Sequence, residues 1–255
     1  MAGNVSRPGA TVTSRALALV AAYDEEHRRL TLTELAERAG LPLPTAHRLV
    51  AELVEWGALS RDTAGRYVIG RRLWDVAMLA PVQTGLRQLA SPFLHDLYGA
   101  TLATVHLAVR DGTEVLYLDR LAGNTSVPVV SSVGSRLPLH STGVGKVLLA
   151  HAPAEVQTAV LSDLRRITPY TITQPGTLRR QLARVHRDGY ATTVEEMSLG
   201  ACSVAVPIRA GSAVVASLGI VVPNLRKDRA KHVAALQVAG QGIGRALSAA
   251  GDAAD

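Results

Sequence analysis

The sequence predicts an α+β protein in which an N-terminal winged helix-turn-helix precedes a larger domain with a mainly antiparallel sheet. Three observations support this fold class. Two short amphipathic helices joined by a glycine-bearing turn occupy residues 31–57. A small hairpin at residues 58–69 follows directly, in the position of a wing. From Gly85 onward, helices are mixed with strands that pair through tight turns, a pattern typical of an antiparallel sheet with helices on its faces.

The helix pair carries its own start and stop signals. Thr31 and Glu34 have the spacing of a capping box, and Gly40 supplies a left-handed stop. The second helix begins at Leu43 or Pro44, because proline is tolerated in the first helical turn. Its apolar stripe recurs at three- and four-residue intervals and comprises Ala46, Leu49, Val50, Leu53 and Val54.

The opposite face of the second helix is polar. It carries Thr45, His47, Arg48 and Glu52. Two amphipathic helices by themselves usually belong to an ordinary helical core. The hairpin, with strands at 58–61 and 66–69, changes this interpretation, because Arg61 and Arg66 at its rim suit contacts to phosphates. The unit is therefore predicted to bind DNA.

A helix over residues 12–23 gives the pair a third packing partner, and a helix over residues 70–80 ends at Pro81. We interpret the latter as a linker whose apolar side contacts a second copy or packs within its own domain. The larger domain is predicted to contain helices at 86–97, 142–150, 153–164, 178–188 and 228–249, and strands at 102–109, 114–121, 127–131, 190–195, 203–208 and 213–222.

Composition limits the classes of function. Of the 255 residues, 47% are hydrophobic, which is enough for packed cores. The net charge of +6 is consistent with nucleic-acid binding. However, the first 80 residues hold ten arginines against nine acidic residues, so DNA affinity must come from a few specifically positioned side chains and not from bulk charge. A single cysteine, Cys202, fits a reducing compartment. We expect a cytoplasmic protein, since no signal-peptide or membrane-length apolar run is found.

Motifs that would indicate an enzyme are incomplete, and we expect no enzymatic activity, no cofactor and no metal site. The segment Gly143–Lys146 resembles part of a phosphate loop, but His140 replaces the required glycine and Val147 the required Ser or Thr. The eight histidines show no metal-ligand spacing. Glu195 and Glu196, placed next to each other in a strand, would point to opposite faces.

The chain resembles the IclR family of bacterial transcriptional regulators from Ser14 to Ala249. The resemblance is carried by RALALV (15–20), LTELAERAGLPLPTAHRLVAEL (32–53), GRYVIG (65–70), GSRLPLHSTGVGKVLLA (134–150), RDGY (187–190), EE (195–196) and ACSVAVP (201–207). It implies a winged helix-turn-helix over residues 11–70, a linker helix over 71–82 and a GAF-like effector-binding domain over 83–250. It also implies homodimers, often paired into homotetramers.

The resemblance assigns the part of the second helix that enters the DNA major groove. Arg48 suits a bidentate bond to guanine, whereas the role of His47 stays open between base contact and covering the helix start. The implied DNA-binding residues are Arg15, Thr45, His47, Arg48, Arg66 and Tyr67. Of these, Arg15, Arg66 and Tyr67 suit contacts to the DNA backbone.

The resemblance also implies a wall of effector-binding positions at Ser126, Val129, Leu137, Gly143, Val144, Thr193, Ser203, Gly219 and Val221. Family members that bind small oxo-acids place a carboxylate, a cysteine and two serines at the last four positions. Because Gly219 and Val221 offer no side-chain hydrogen bond, we expect a larger and less polar organic effector, unless these residues only pack the core. The expected function is an effector-responsive regulator of a palindromic operator; the alternative is a GAF-like sensor acting mainly through protein partners.

Overall fold

The computed structural model describes residues 11–24, 26–77, 84–123, 127, 129–226 and 228–252. The chain divides into two compact units, Met1–Val82 and Gln83–Asp255. None of the helices within the described ranges is long and apolar enough to cross a membrane. The mixture of helices with antiparallel strands confirms the predicted α+β fold class.

The first unit contains helices α1 (Val12–Val20), α2 (Leu32–Ala39), α3 (Leu43–Trp56) and α4 (Arg71–Ala77), with strands β1 (Leu59–Arg61) and β2 (Tyr67–Ile69). The Thr31–Glu34 capping box is present before α2. Gly40 and Gly57 end α2 and α3 at φ values of 63° and 86°, which other residues rarely adopt. Local sequence rules therefore set the helix boundaries of this unit.

The core of the first unit lies between the three helices and the hairpin. It is centred on Leu19, Leu35, Leu49, Val50 and Leu59. The predicted stripe of α3 thus faces inward, and its polar face is left at the surface. Helix α4 has no buried residue, and the rest of the predicted linker, residues 78–82, lies outside the described residues.

The second unit contains helices α5 (Thr84–Thr101), α6 (Gly143–Ala150), α7 (Ala154–Ser162), α8 (Pro175–Asp188) and α9 (Arg229–Asp252). Its strands are β3 (Thr104–Asp111), β4 (Glu114–Leu121), β5 (Arg136–Pro138), β6 (Ala191–Val194), β7 (Cys202–Ala210) and β8 (Ala213–Val222). They form one antiparallel sheet in the order β5-β4-β3-β8-β7-β6.

Helices cover both faces of this sheet. One core packs α5 and α9 against the sheet, and the other packs α6, α7 and α8 against the opposite face. Helix α6 lies very close to the chain before it: a Cβ atom on Gly145 would come within 2.4 Å of the Leu139 carbonyl oxygen. This contact requires glycine at position 145.

Two predictions about the second unit are wrong. The described residues of segment 127–131 form no strand, and the strand lies later, at β5, where a proline and a length of three residues hid it. Glu195 and Glu196 do not lie in a strand, because β6 ends at Val194 and Glu195 adopts a positive φ of 54°. Helix α5 also runs past its predicted end, with Pro92 inside it.

Candidate functional site

The outer face of α3 presents polar side chains on a rigid helix. Arg48 and His47 are exposed, and Thr45 is half-buried near the first turn. Arg48 donates to Glu52 one helical turn later at 3.0 Å, and both side chains are about 60% exposed. An exposed pair of this kind contributes little stability, so the guanidinium can exchange Glu52 for another acceptor. Arg15 on α1 is half-buried.

The wing is organised by Asp62. Its Oδ1 accepts from the backbone amides of Ala64 and Arg66 at 2.9 Å, and its Oδ2 accepts from the Arg66 Nε at 3.1 Å. Arg66 is therefore held at the base of the turn by a carboxylate, whereas Arg61 projects from the neighbouring strand with an exposed side chain.

Tyr67 lies in a different place from the one expected of a phosphate-contacting residue. Its side chain is 4% exposed and packs in the core of the first unit, and its backbone pairs with Leu30. Its hydroxyl accepts a hydrogen bond from Arg61. Tyr67 therefore supports Arg61 from the core and does not itself face outward.

The second unit contains a cavity between the start of α6 and the sheet. Eight of the nine expected effector positions line it: Val129, Leu137, Gly143, Val144, Thr193, Ser203, Gly219 and Val221. The ninth, Ser126, lies outside the described residues. The empty space between the walls is about 490 Å³, part of which is open to solvent. Whether these residues bind an effector stays a prediction.

Glycines create the middle of the cavity. A Cβ atom on Gly143 would come within 2.5 Å of the Ser203 Oγ, and one on Gly219 within 2.8 Å of the Val144 Cγ1. The absence of these side chains lets α6 approach the sheet while leaving an apolar gap. At one end of this gap the hydroxyls of Thr193 and Ser203 lie 2.5 Å apart.

The other end of the cavity contains polar residues that the sequence reasoning missed. The Nε2 of His106 lies 2.8 Å from the Ser131 Oγ, and the Tyr117 ring meets the imidazole edge-on at 5.0 Å. Burial raises the pKa of Tyr117, so its hydroxyl stays protonated, and it hydrogen-bonds to Thr142. A histidine within a strand gives no local signal of this role; only strand pairing places His106 beside the cavity.

Burial, together with the smaller effect of the Arg120 charge, lowers the pKa of His106 from its usual 6.5 to about 3. Between these two pH values the imidazole of His106 is protonated in the unfolded chain and neutral in the folded chain. The free energy of unfolding therefore decreases as the pH falls below about 6.5. We expect a loss of about 2 kcal/mol between about pH 6.5 and pH 5. Urea unfolding at both pH values measures it.

His106→Gln is the matched control for this prediction, because it keeps a hydrogen-bonding group next to Ser131 and does not titrate. In this variant, most of the loss of about 2 kcal/mol in unfolding free energy between about pH 6.5 and pH 5 should disappear. A weaker pH dependence should remain from His140, His151 and His232, because burial also lowers their pKa values. An unchanged pH dependence in His106→Gln would contradict the assignment.

A buried ion pair connects helix α6, which forms one wall of the cavity, to the segment after β6, which forms another. The Lys146 Nζ, on α6, donates to both carboxylate oxygens of Glu196 at 2.6 and 2.7 Å and to the Gln181 Oε1 at 2.7 Å. Burial lowers the pKa of Lys146 and raises that of Glu196, and each charge opposes the shift of the other. The next residues after Glu196, Met197 and Ser198, line the cavity.

A winged helix-turn-helix unit together with a cavity-bearing α+β unit defines a ligand-responsive, DNA-binding transcriptional regulator. Comparison with known families supports this class: residues 79–249 match the bacterial transcriptional regulator IclR C-terminal domain, and residues 12–63 match the IclR helix-turn-helix domain. The chain belongs to the IclR family.

Individual relatives agree with this membership. The chain is 31% identical over 240 residues to the HTH-type transcriptional regulator XynR of Escherichia coli, covering 91% of this chain and 95% of that protein. It is 33% identical over 203 residues to the p-hydroxybenzoate hydroxylase transcriptional activator of Acinetobacter baylyi, covering 76% and 74%. A solved structure of an IclR homolog from Microbacterium hydrocarbonoxydans, complexed with 4-hydroxybenzoate, is 36% identical, with a TM-score of 0.90 over 94% of this chain and 100% of that one.

Proposed function

We propose that this protein binds a two-fold symmetric operator as a homodimer or a pair of dimers, and that a small aromatic compound bound in the α6 cavity changes its affinity for that operator. The observation that carries the proposal is the cavity itself. Its middle is apolar, at Val144, Gly219 and Val221, and its two ends are polar, at Thr193–Ser203 and at His106–Ser131. Such a site suits a flat ring with polar substituents.

Two relatives support the ligand class. The Microbacterium homolog is described as a complex with 4-hydroxybenzoate, and the Acinetobacter relative is named as an activator of p-hydroxybenzoate hydroxylase. The loss of side-chain hydrogen bonding at Gly219 and Val221 favours an aromatic compound over a small oxo-acid in this chain. We propose 4-hydroxybenzoate and its close analogues as the first compounds to test.

A catalytic role has little support in the cavity. The Ser131–His106 contact resembles a nucleophile and its base, but a pKa of about 3 makes the imidazole a weak base. The residue paired with His106 across the sheet is Arg120, whereas a serine triad needs a carboxylate to orient its histidine. The pair serves instead as a neutral hydrogen-bonding group. The protein would act in the cytoplasm, where the chromosome lies.

The proposal is tested by fluorescence anisotropy with DNA from the upstream region of the protein's own gene. We expect saturable, sequence-specific binding that weakens or tightens when 4-hydroxybenzoate is added. The same compound should raise the melting temperature, because a ligand that binds only the folded state stabilises it. Failure to bind specific DNA would favour a sensor that acts through protein partners.

Val221→Phe tests the cavity directly, because a larger side chain on the sheet would fill the space under α6. We expect at least a tenfold loss of affinity for 4-hydroxybenzoate, measured by calorimetry, with operator binding in its absence unchanged. Val215→Phe is the matched control: it makes the same change on β8 at an exposed position outside the cavity. Equal ligand affinity in the two variants would place the effector elsewhere.

A further inference from the structure

Two buried polar atoms without partners lie on the sheet beside His106. They are the hydroxyl oxygen of Thr104, a residue with 0% exposure, and the Nε of Arg120, which is half-buried. Within the part of the chain that the structure describes, neither atom has a hydrogen-bond partner. Folded proteins leave few such groups unpaired, and each one calls for an explanation such as a bound molecule.

Strand register puts both side chains on the cavity face. Arg120 on β4 pairs directly with His106 on β3, and direct partners in an antiparallel pair point to the same side. Thr104 precedes His106 by two residues, so it also points to that side, and it pairs with Val221 of the cavity wall. The unpaired atoms therefore adjoin the His106 end of the cavity.

A β-bulge makes this arrangement possible. Leu107 pairs with Asp119 and Ala108 with Tyr117, so Leu118 is an extra residue in β4. The extra residue brings Tyr117 and Arg120 to the same face, on either side of the bulge. Without it, alternation would turn one of them into the opposite core.

The charge of Arg120 is also unmatched. Its guanidinium lies close enough to His106 to lower the pKa of the imidazole, and no carboxylate is within ion-pair distance of it among the described residues. The side chains described as lining the cavity include no acidic residue. A partly buried cation without a counter-ion attracts an anion, and guanidinium pairs with carboxylates in two parallel hydrogen bonds.

We propose that Arg120 and Thr104, together with the Ser131–His106 pair, bind the carboxylate of an anionic aromatic effector. The proposal rests on the proposed function and names the specificity of the same site. The ring lies against the apolar middle of the cavity, and the acid group enters the corner next to His106. Neutral His106 accepts or donates one hydrogen bond without adding a second charge, so Arg120 alone decides the preference for an acid.

The test compares 4-hydroxybenzoate with 4-hydroxybenzamide, which has nearly the same shape and no charge. The wild-type protein is expected to bind the acid about 10- to 100-fold more tightly than the amide, because hydrogen bonds to charged groups are stronger than those between neutral groups. Arg120→Gln should weaken binding of the acid by a similar factor and change that of the amide by less than about twofold. Arg120→Lys should keep part of the preference, because it keeps the charge without the planar fork.

Two further variants separate this role from a structural one. Arg110→Gln, at the exposed end of β3, is the matched control and should leave both affinities unchanged. Thr104→Val removes the unpaired hydroxyl at constant shape, so it should leave the unliganded melting temperature unchanged or higher, and weaken binding of the acid about fivefold.

The possible failures differ from one another. Equal losses for acid and amide in Arg120→Gln, or no loss for either, would overturn the assignment of Arg120 while leaving the proposed function intact. Binding of neither compound to the wild-type protein, with specific DNA binding preserved, would refute the aromatic ligand class and this inference together.

Discussion

Lys146→Met is expected to lower the free energy of unfolding of the second unit by about 3–5 kcal/mol, the usual cost of breaking a buried ion pair. Lys146 is 1% exposed, and its ammonium group is the counter-ion of Glu196. Methionine fills most of the same volume, so the loss would come mainly from the carboxylate left buried without a countercharge. The adjacent Gln181 would also lose its donor.

Urea unfolding can assign this loss to one unit. Both tryptophans of the chain, Trp56 and Trp74, belong to the first unit, so their fluorescence reports on that unit alone. Far-ultraviolet circular dichroism reports on both units. We expect the Lys146→Met midpoint to fall in the circular dichroism transition and to stay unchanged in the fluorescence transition. Coincident shifts would mean that the two units unfold as one cooperative body.

Two control variants test whether the stability loss in Lys146→Met comes from the buried charge. Arg165→Met removes an exposed ion pair with Asp163 and should cost less than about 1 kcal/mol. Adding Glu196→Gln to Lys146→Met should recover much of the loss, because the buried charge is then gone. A double variant no more stable than Lys146→Met would show that the loss comes from packing and not from charge.

The ion pair marks the limit of what this sequence predicts. Thr31, Glu34 and Gly40 obey rules that act over three or four residues, so the boundaries of α2 could be predicted correctly. Lys146 and Glu196 are 50 residues apart, and no local pattern couples them. The glycines before Lys146 suggest a phosphate loop, whereas in the fold they let α6 approach the sheet.

Part of the cavity lining could likewise be predicted from the sequence, because it lies in local motifs. Four of its positions, Leu137, Gly143, Val144 and Ser203, belong to motifs that carry the family resemblance, and the structure brings eight of the nine expected positions together. His106, Arg120 and Thr104 lie in strands that look ordinary in sequence. Their juxtaposition depends on strand register and on the bulge at Leu118, which are set by long-range pairing.

Arg48→Ala is expected to weaken operator binding by about 1–3 kcal/mol for each half-site, measured by anisotropy at fixed salt. The side chain is exposed on the outer face of α3, and its only recorded partner among the described residues is the weakly held Glu52. Loss of a bidentate base contact should also relax specificity at one operator position. Thr45→Val should cost less, because a hydroxyl makes a single contact.

Glu52→Gln distinguishes DNA contact from helix stabilisation. If Arg48 matters only through its ion pair, both substitutions remove the same interaction and should weaken binding alike. If Arg48 contacts DNA, Glu52→Gln should leave affinity unchanged or raise it, because it releases the guanidinium and removes a negative charge near phosphates. Opposite signs for the two variants would support direct recognition by α3. If both variants lost operator affinity to a similar extent, Arg48 would have only a structural role. The contacts to DNA would then have to come from Arg61 and the rest of the wing.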